Sequence, residues 1–171
     1  MDLLNMETFG RIITYGTPQA TAILRGGDLA PKVTGTVKFY RAGKGALVVA
    51  EVFHLPRQIQ IGGKSEPAGP FYAFHIHEGS QCGSGSGDNP FAKSGGHFNP
   101  GHNPHPLHAG DMPPILSDNG YGFLSLYTSR FNPAMIIGRT VIIHQTADDF
   151  HTQPSGNPGL KIVCAKILAS E

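Results

Sequence analysis

Glycine and proline interrupt this chain so often that long helices are excluded from most of it: 23 Gly and 14 Pro are spread over 171 residues. Glycine raises the entropy cost of ordering a helix and proline removes a backbone donor, so regular structure between them must be short. The apolar segments left between these interruptions are rich in β-branched and aromatic residues. That pattern predicts an all-β domain. Strands are expected at Gln19–Arg25, Val33–Arg41, Ala46–Phe53, Phe71–His77, Gly122–Thr128, Gly138–His144 and Leu160–Leu168, with Arg41-Ala42-Gly43-Lys44-Gly45 as a tight hairpin turn. Residues Met1–Tyr15 carry an apolar patch, Phe9, Ile12 and Ile13, readable as a short helix or an extra edge strand. The expected organisation is an N-terminal extension, 1–17, and one β domain, 18–171, long enough to enclose a single core.

Two long stretches lack periodicity, Glu78–Met112 and Gln145–Gly159, and each begins directly after a strand-ending histidine. Ordered loops of that length usually carry function. Within Phe71–His77 successive side chains alternate faces, so His75 and His77 project together while Phe74 and Ile76 enter a core. Two adjacent imidazoles beside apolar neighbours are costly to bury unless something binds their nitrogens. Five of the 9 histidines, His75, His77, His97, His105 and His108, fall between Phe71 and Asp111, whose carboxylate closes the group. Imidazoles with one carboxylate suit zinc or copper rather than magnesium or calcium. His54, His102 and His151 read as ordinary surface or core histidines.

A net charge of +1, with 15% charged residues and no basic stripe, gives no reason to expect nucleic acid or a membrane surface as partner. Apolar runs such as Ala46-Leu47-Val48-Val49-Ala50 are too short to span a bilayer. The N-terminus lacks the basic and apolar regions of a secretory signal. Cytoplasmic residence follows if Met1 is the native start, and a secreted or periplasmic one if a leader was removed. Cys82 and Cys164 belong to no CxxC motif, and their spacing leaves free thiols and a disulfide equally open.

In chain order, Phe74-His75-Ile76-His77-Glu78, Cys82, Gly95-Gly96-His97-Phe98-Asn99-Pro100, His108-Ala109-Gly110-Asp111, Gly138-Arg139-Thr140-Val141-Ile142-Ile143-His144, Ala147-Asp148-Asp149 and Gly156-Asn157-Pro158-Gly159 before Cys164 resemble the copper/zinc superoxide dismutase family. The resemblance spans Ala20 to Leu168. Gln81-Cys82 and the segment Asp149–Asn157 look like its bacterial branch. It implies an eight-stranded antiparallel Greek-key β-barrel or sandwich with long metal-binding and electrostatic-type loops. Its implied cofactors are copper and zinc. Its implied substrate is the superoxide anion, converted to dioxygen and hydrogen peroxide by copper redox cycling. Position by position, the copper ligands would be His75, His77, His97 and His144, and the zinc ligands His97, His105, His108 and Asp111. His97 would bridge the two metals and carry a catalytic proton. Asp148 matches a carboxylate that hydrogen-bonds one histidine on each side, fixing ring orientation. Cys82 and Cys164 match the family's disulfide, and a homodimer is left open.

Two positions depart from the family pattern. His105 and His108 are three residues apart where the family has a longer turn; His105 keeps the usual offset from His97, with His102 as the alternative. Lys161 stands where the family has its active-site arginine, preserving the charge and losing the fork of donors. Anion attraction should persist with slower turnover. These departures motivate a second reading, a non-catalytic copper- and zinc-binding protein for storage or delivery. A third, a zinc-only interaction module, would make His75, His77 and His144 incidental. The complete set of copper ligands favours the enzyme.

Overall fold

Short runs of apolar, largely β-branched and aromatic residues form the strands of the computed structural model, which describes residues 4–83, 85 and 87–170. The chain runs α1 (Met6–Tyr15), β1 (Ala20–Gly26), β2 (Thr34–Ala42), β3 (Gly45–Phe53), β4 (Gln58–Ile61), β5 (Lys64–Pro67), β6 (Phe71–His77), β7 (Asp111–Asp118), β8 (Tyr121–Thr128), α2 (Pro133–Ile136), β9 (Thr140–His144) and β10 (Lys161–Ala169). Eight strands close into an antiparallel barrel in the order β1-β10-β9-β6-β7-β8-β3-β2, while β4 and β5 form a separate hairpin. Closure leaves the barrel without a free edge. Ala42 pairs with Gly45 across the β2–β3 turn, where Gly43 takes φ +56° at the position that two-residue hairpins reserve for positive φ.

One face of every barrel strand fills a common core that includes Leu24, Phe39, Val48, Ile115, Val141 and Ile167. Burying such side chains contributes roughly 1.5–3 kcal/mol each. In β6 and β9 the outward face is buried too, because the loops after each strand fold back over it. His75, His77 and His144 lie under that cover.

The structure adds to the strands expected from sequence. Asp111–Asp118 is a strand although Pro113 and Pro114 lack the N–H groups that a ladder needs. The β6–β7 register accordingly shifts between Tyr72 and Phe74, and β7 pairs with β8 only at Ser117–Gly122 and Asp118–Tyr121. The β4–β5 hairpin was also absent from the expectation. The strand expected from Gly138 begins at Thr140, after the short α2. Of the two readings of the N-terminus, the helix is found: Asn5 caps α1 by accepting from Thr8 N. Phe9 stacks on Tyr127 at 5.6 Å, and Leu4, Phe9 and Ile12 pack outside the barrel on Tyr40, Ala42 and Leu47. Residues 1–3 of the expected extension lie outside the described residues.

Candidate metal centre

Strand register assembles the first half of the site. His75 pairs with Ile142 and His77 with Thr140, and His144 lies two residues beyond Ile142, so all three imidazoles share the outward face of β6 and β9. His97 is brought in by the returning loop, through a bridge to His77 and the bonds Phe98 N to Ile76 O and Ile76 N to Gly110 O. The result is two groups of potential ligand atoms, each within 4.8 Å of one another: His75, His77, His97 and His144, and His97, His105, His108 and Asp111. His97 belongs to both.

Hydrogen bonds fix which ring nitrogen each histidine can offer. His75 Nε2–H donates to Asp148 Oδ2 at 2.7 Å and His105 Nε2–H to Asp148 Oδ1 at 2.8 Å, leaving Nδ1 of each as the free donor atom. His77 Nδ1–H donates to Gly95 O at 2.8 Å and His144 Nδ1–H to Gly159 O at 3.4 Å, leaving Nε2 of each. Those two Nε2 atoms, both stripped of hydrogen by this assignment, face each other at 3.4 Å. On the other side His97 Nδ1 lies 2.6 Å from Asp111 Oδ1 and 3.3 Å from His108 Nδ1.

This arrangement fits metal ions. His75 Nδ1, His97 Nε2 and His105 Nδ1 are buried without a hydrogen-bond partner, and lone pairs converging in a dry site are unfavourable unless a cation lies between them. The atoms left over are those that complete the two groups. Burial holds the His75 pKa down at about 4, and holds His77 and His144 well below the ordinary imidazole value, with His144 and His75 respectively as the next opposing charges. The rings are therefore neutral, the form that binds metal. For Asp148, burial opposes ionisation, but hydrogen bonds from His75, Phe150 N and His105 outweigh it and keep the carboxyl well below the usual range. Asp111 is likewise lowered, by His97 and the neighbouring histidines against the effect of burial.

A cavity of about 510 Å³ opens onto His77, His97, His144 and Lys161. Lys161 pairs with His144 across β9 and β10, which places it at the cavity wall. Its Nζ donates to Ser94 Oγ at 2.9 Å and to Gly95 O at 3.1 Å, and burial lowers its pKa. The Gly95 carbonyl thus serves both Lys161 and His77. Cys82 and Cys164 form a disulfide that ties the loop after β6 to β10.

The structure brings His75, His77, His97 and His144 together, and His97, His105, His108 and Asp111 together. His102, the alternative to His105, is exposed and belongs to neither group; His54 and His151 are exposed and outside both. Sequence reasoning did not single out Ser94, Arg130, Gln153 or the role of Gly156. At φ +75°, Gly156 passes so close that a Cβ there would collide with the Asp148 carboxylate and crowd His105 Nε2. Its place in the Gly156–Gly159 motif was the available signal.

Residues 33–167 match the family described as copper/zinc superoxide dismutase. A Cu-Zn superoxide dismutase of Deinococcus radiodurans is 37% identical over 159 residues, covering 83% of this chain and 81% of the relative. Superoxide dismutase (Cu-Zn) 1 of Aquifex aeolicus is 32% identical over 149 residues, covering 78% and 79%. The extracellular Cu-Zn superoxide dismutase of Mus musculus is 30% identical over 149 residues, covering 82% of this chain and 55% of the relative.

Proposed function

The chain belongs to the copper/zinc superoxide dismutase family, and from that premise we propose how its residues divide the work of superoxide dismutation. It is an oxidoreductase with copper and zinc as cofactors and superoxide as substrate. The single observation that carries the residue assignment is the pair of donor groups sharing His97, with buried unpartnered nitrogens aimed into them. The group His75, His77, His97 and His144 is assigned to copper, because four imidazoles accommodate both oxidation states without thiolate trapping Cu(I). The group His97, His105, His108 and Asp111 is assigned to zinc, a closed tetrahedral set of nitrogen and carboxylate donors.

Copper held by His75, His77, His97 and His144 would supply the one-electron chemistry by which one superoxide is oxidised to dioxygen and a second, with two protons, is reduced to hydrogen peroxide. The protein orients and supplies charge. His75 and His105 are held by Asp148, and His77 by Gly95 O, so these rings are kept in fixed tautomers, with His77 reaching the cavity. His97 Nε2, buried and without a hydrogen-bond partner, is the atom that would hold copper, and whenever it is free of the metal it can take up a proton and pass it to the reduced substrate. Lys161 presents positive charge at the cavity wall, drawing in the anion by long-range attraction.

The storage or delivery reading is not favoured, since no candidate copper ligand is missing. Superoxide consumption by protein reloaded with copper and zinc, compared with His144→Ala, tests the assignment: catalysis lost with His144 supports it, and equal rates sink it.

Three further elements belong to this reading. Residues 1–17 form an extension on a single domain, 18–171, supported by α1 packing on β2 and β3. A homodimer is supported by Phe53, Leu116, Tyr121 and Phe123, exposed together on the outer face of β3, β7 and β8, and sedimentation equilibrium tests it. No helix among the described residues is long and apolar enough to cross a membrane. An oxidising compartment outside the cytoplasm is supported by the Cys82–Cys164 disulfide.

A further inference from the structure

The segment from His97 to Asp111 carries four donor residues with little regular structure of its own. Pro104 and Pro106 flank His105 and contribute no N–H. Both main-chain groups of His105 are nevertheless satisfied, and by one side chain: His105 N–H donates to Gln153 Oε1 at 3.0 Å, and Gln153 Nε2 donates to His105 O at 2.7 Å. The Gln153 carboxamide therefore pairs with His105 as a neighbouring strand would, across 48 residues of sequence.

Gln153 is itself held. Asp149 Oδ1 accepts from His151 N at 3.0 Å and Thr152 N at 2.8 Å, and the turn closes through Gly156 N to Thr152 O and Asp149 N to Gly156 O. Asp148, one residue before this turn, receives the His105 ring at 2.8 Å. One loop thus grips His105 by ring and by backbone. At the other end of the segment, Arg130 Nη1 lies within donating distance of three carbonyls, Pro106 O at 3.0 Å, His108 O at 3.2 Å and Asp111 O at 3.4 Å.

We propose that Gln153 is a positioning residue for the zinc-side ligands: it sets the backbone from which the His105 ring reaches, while Arg130 anchors the carbonyls of His108 and Asp111. The segment is short, and side chains from two other loops supply the support that it does not provide for itself. A consequence is that the loop walling the cavity and the zinc-side ligands are latched together at Gln153. This inference rests on the assignment of His105, His108 and Asp111 to zinc.

Zinc and copper dissociation constants of the full-length protein, each measured by competition between the ion and a chromophoric chelator, test it in Gln153→Leu. Loss of partners outside the ligand set typically weakens metal binding about 10–100-fold. A zinc affinity lowered to that extent, with copper within about twofold of the parent and an altered visible spectrum of cobalt substituted for zinc, supports the proposal. Gln153→Glu keeps the oxygen that accepts the His105 N–H and is expected to lose less, which provides a second reading if the leucine variant fails to fold. Zinc affinity within about twofold of the parent in both variants, or equal weakening of both metals, overturns it. His105→Ala in the parent separates the two levels: if zinc binding there is unchanged, the ligand assignment itself has failed.

Discussion

His75 turns its Nε2–H to Asp148 Oδ2 at 2.7 Å and so commits its Nδ1 to the shared donor group. Because the other oxygen of Asp148 takes the His105 ring, one carboxylate orients a histidine in each of the two groups that share His97. Asp148→Ala should release both rings at once. The expected outcome is about 10–100-fold weaker zinc binding and a smaller loss for copper, read by chelator competition. An unchanged zinc affinity would mean that the rings are held by packing alone.

Lys161 already spends two of its three donors on Ser94 Oγ and Gly95 O, leaving one for an anion. A guanidinium has donors enough to keep both contacts and still present N–H groups to an anion. Lys161→Arg should therefore raise the dismutation rate. Lys161→Gln should lower kcat/KM roughly tenfold and flatten its dependence on salt. A Lys161→Arg protein no faster than the parent would contradict the place given to this residue.

The neutral histidines make the metal-free fold sensitive to acid. The folded protein refuses a proton on His75 until about pH 4, whereas the unfolded chain binds it near the ordinary value of 6.5. More protons are bound by the unfolded state across that interval, so stability rises with pH from 4 to 6.5 and is lost as pH falls. The slope is about 1.4 kcal/mol per pH unit for each proton taken up on unfolding. His77 and His144, also lowered, act in the same direction. Below about pH 4 the lowered carboxyls of Asp111 and Asp148 extend the loss. Urea midpoints of chelator-treated protein should fall between pH 7 and pH 5; a midpoint equal or higher at pH 5 would contradict this.

The barrel was legible because its apolar runs are short, rich in β-branched residues and bounded by Gly and Pro, and the candidate ligands because His75, His77 and His144 end or nearly end such runs. β7 was not, since Met112-Pro113-Pro114 carries the residues of a loop. It is a strand because β6 accommodates it with a register shift. The candidate ligand residues were readable, while their supports were not. Gln153 and Arg130 act through one side chain on distant backbone, and no periodicity or spacing marks such contacts. The choice of His105 over His102 shows the same limit: the offset from His97 favoured it, and its burial beside Asp148 and its place among His97, His108 and Asp111 separate the two.

The Cys82–Cys164 bond closes a span of 82 residues. In the chain-entropy model such a crosslink stabilises by on the order of 4 kcal/mol. Cys82→Ser should lower the unfolding free energy by about that amount, and the native oxidised protein should show no thiol to a colorimetric reagent. Two reactive thiols before reduction would contradict the pairing.

The rate of superoxide dismutation by protein carrying one copper and one zinc per chain tests the central claim most directly. The expected result is catalysis well above that of the zinc-only protein, saturating as copper reaches one per chain. Stoichiometric copper binding with no rate above the zinc-only protein would contradict it.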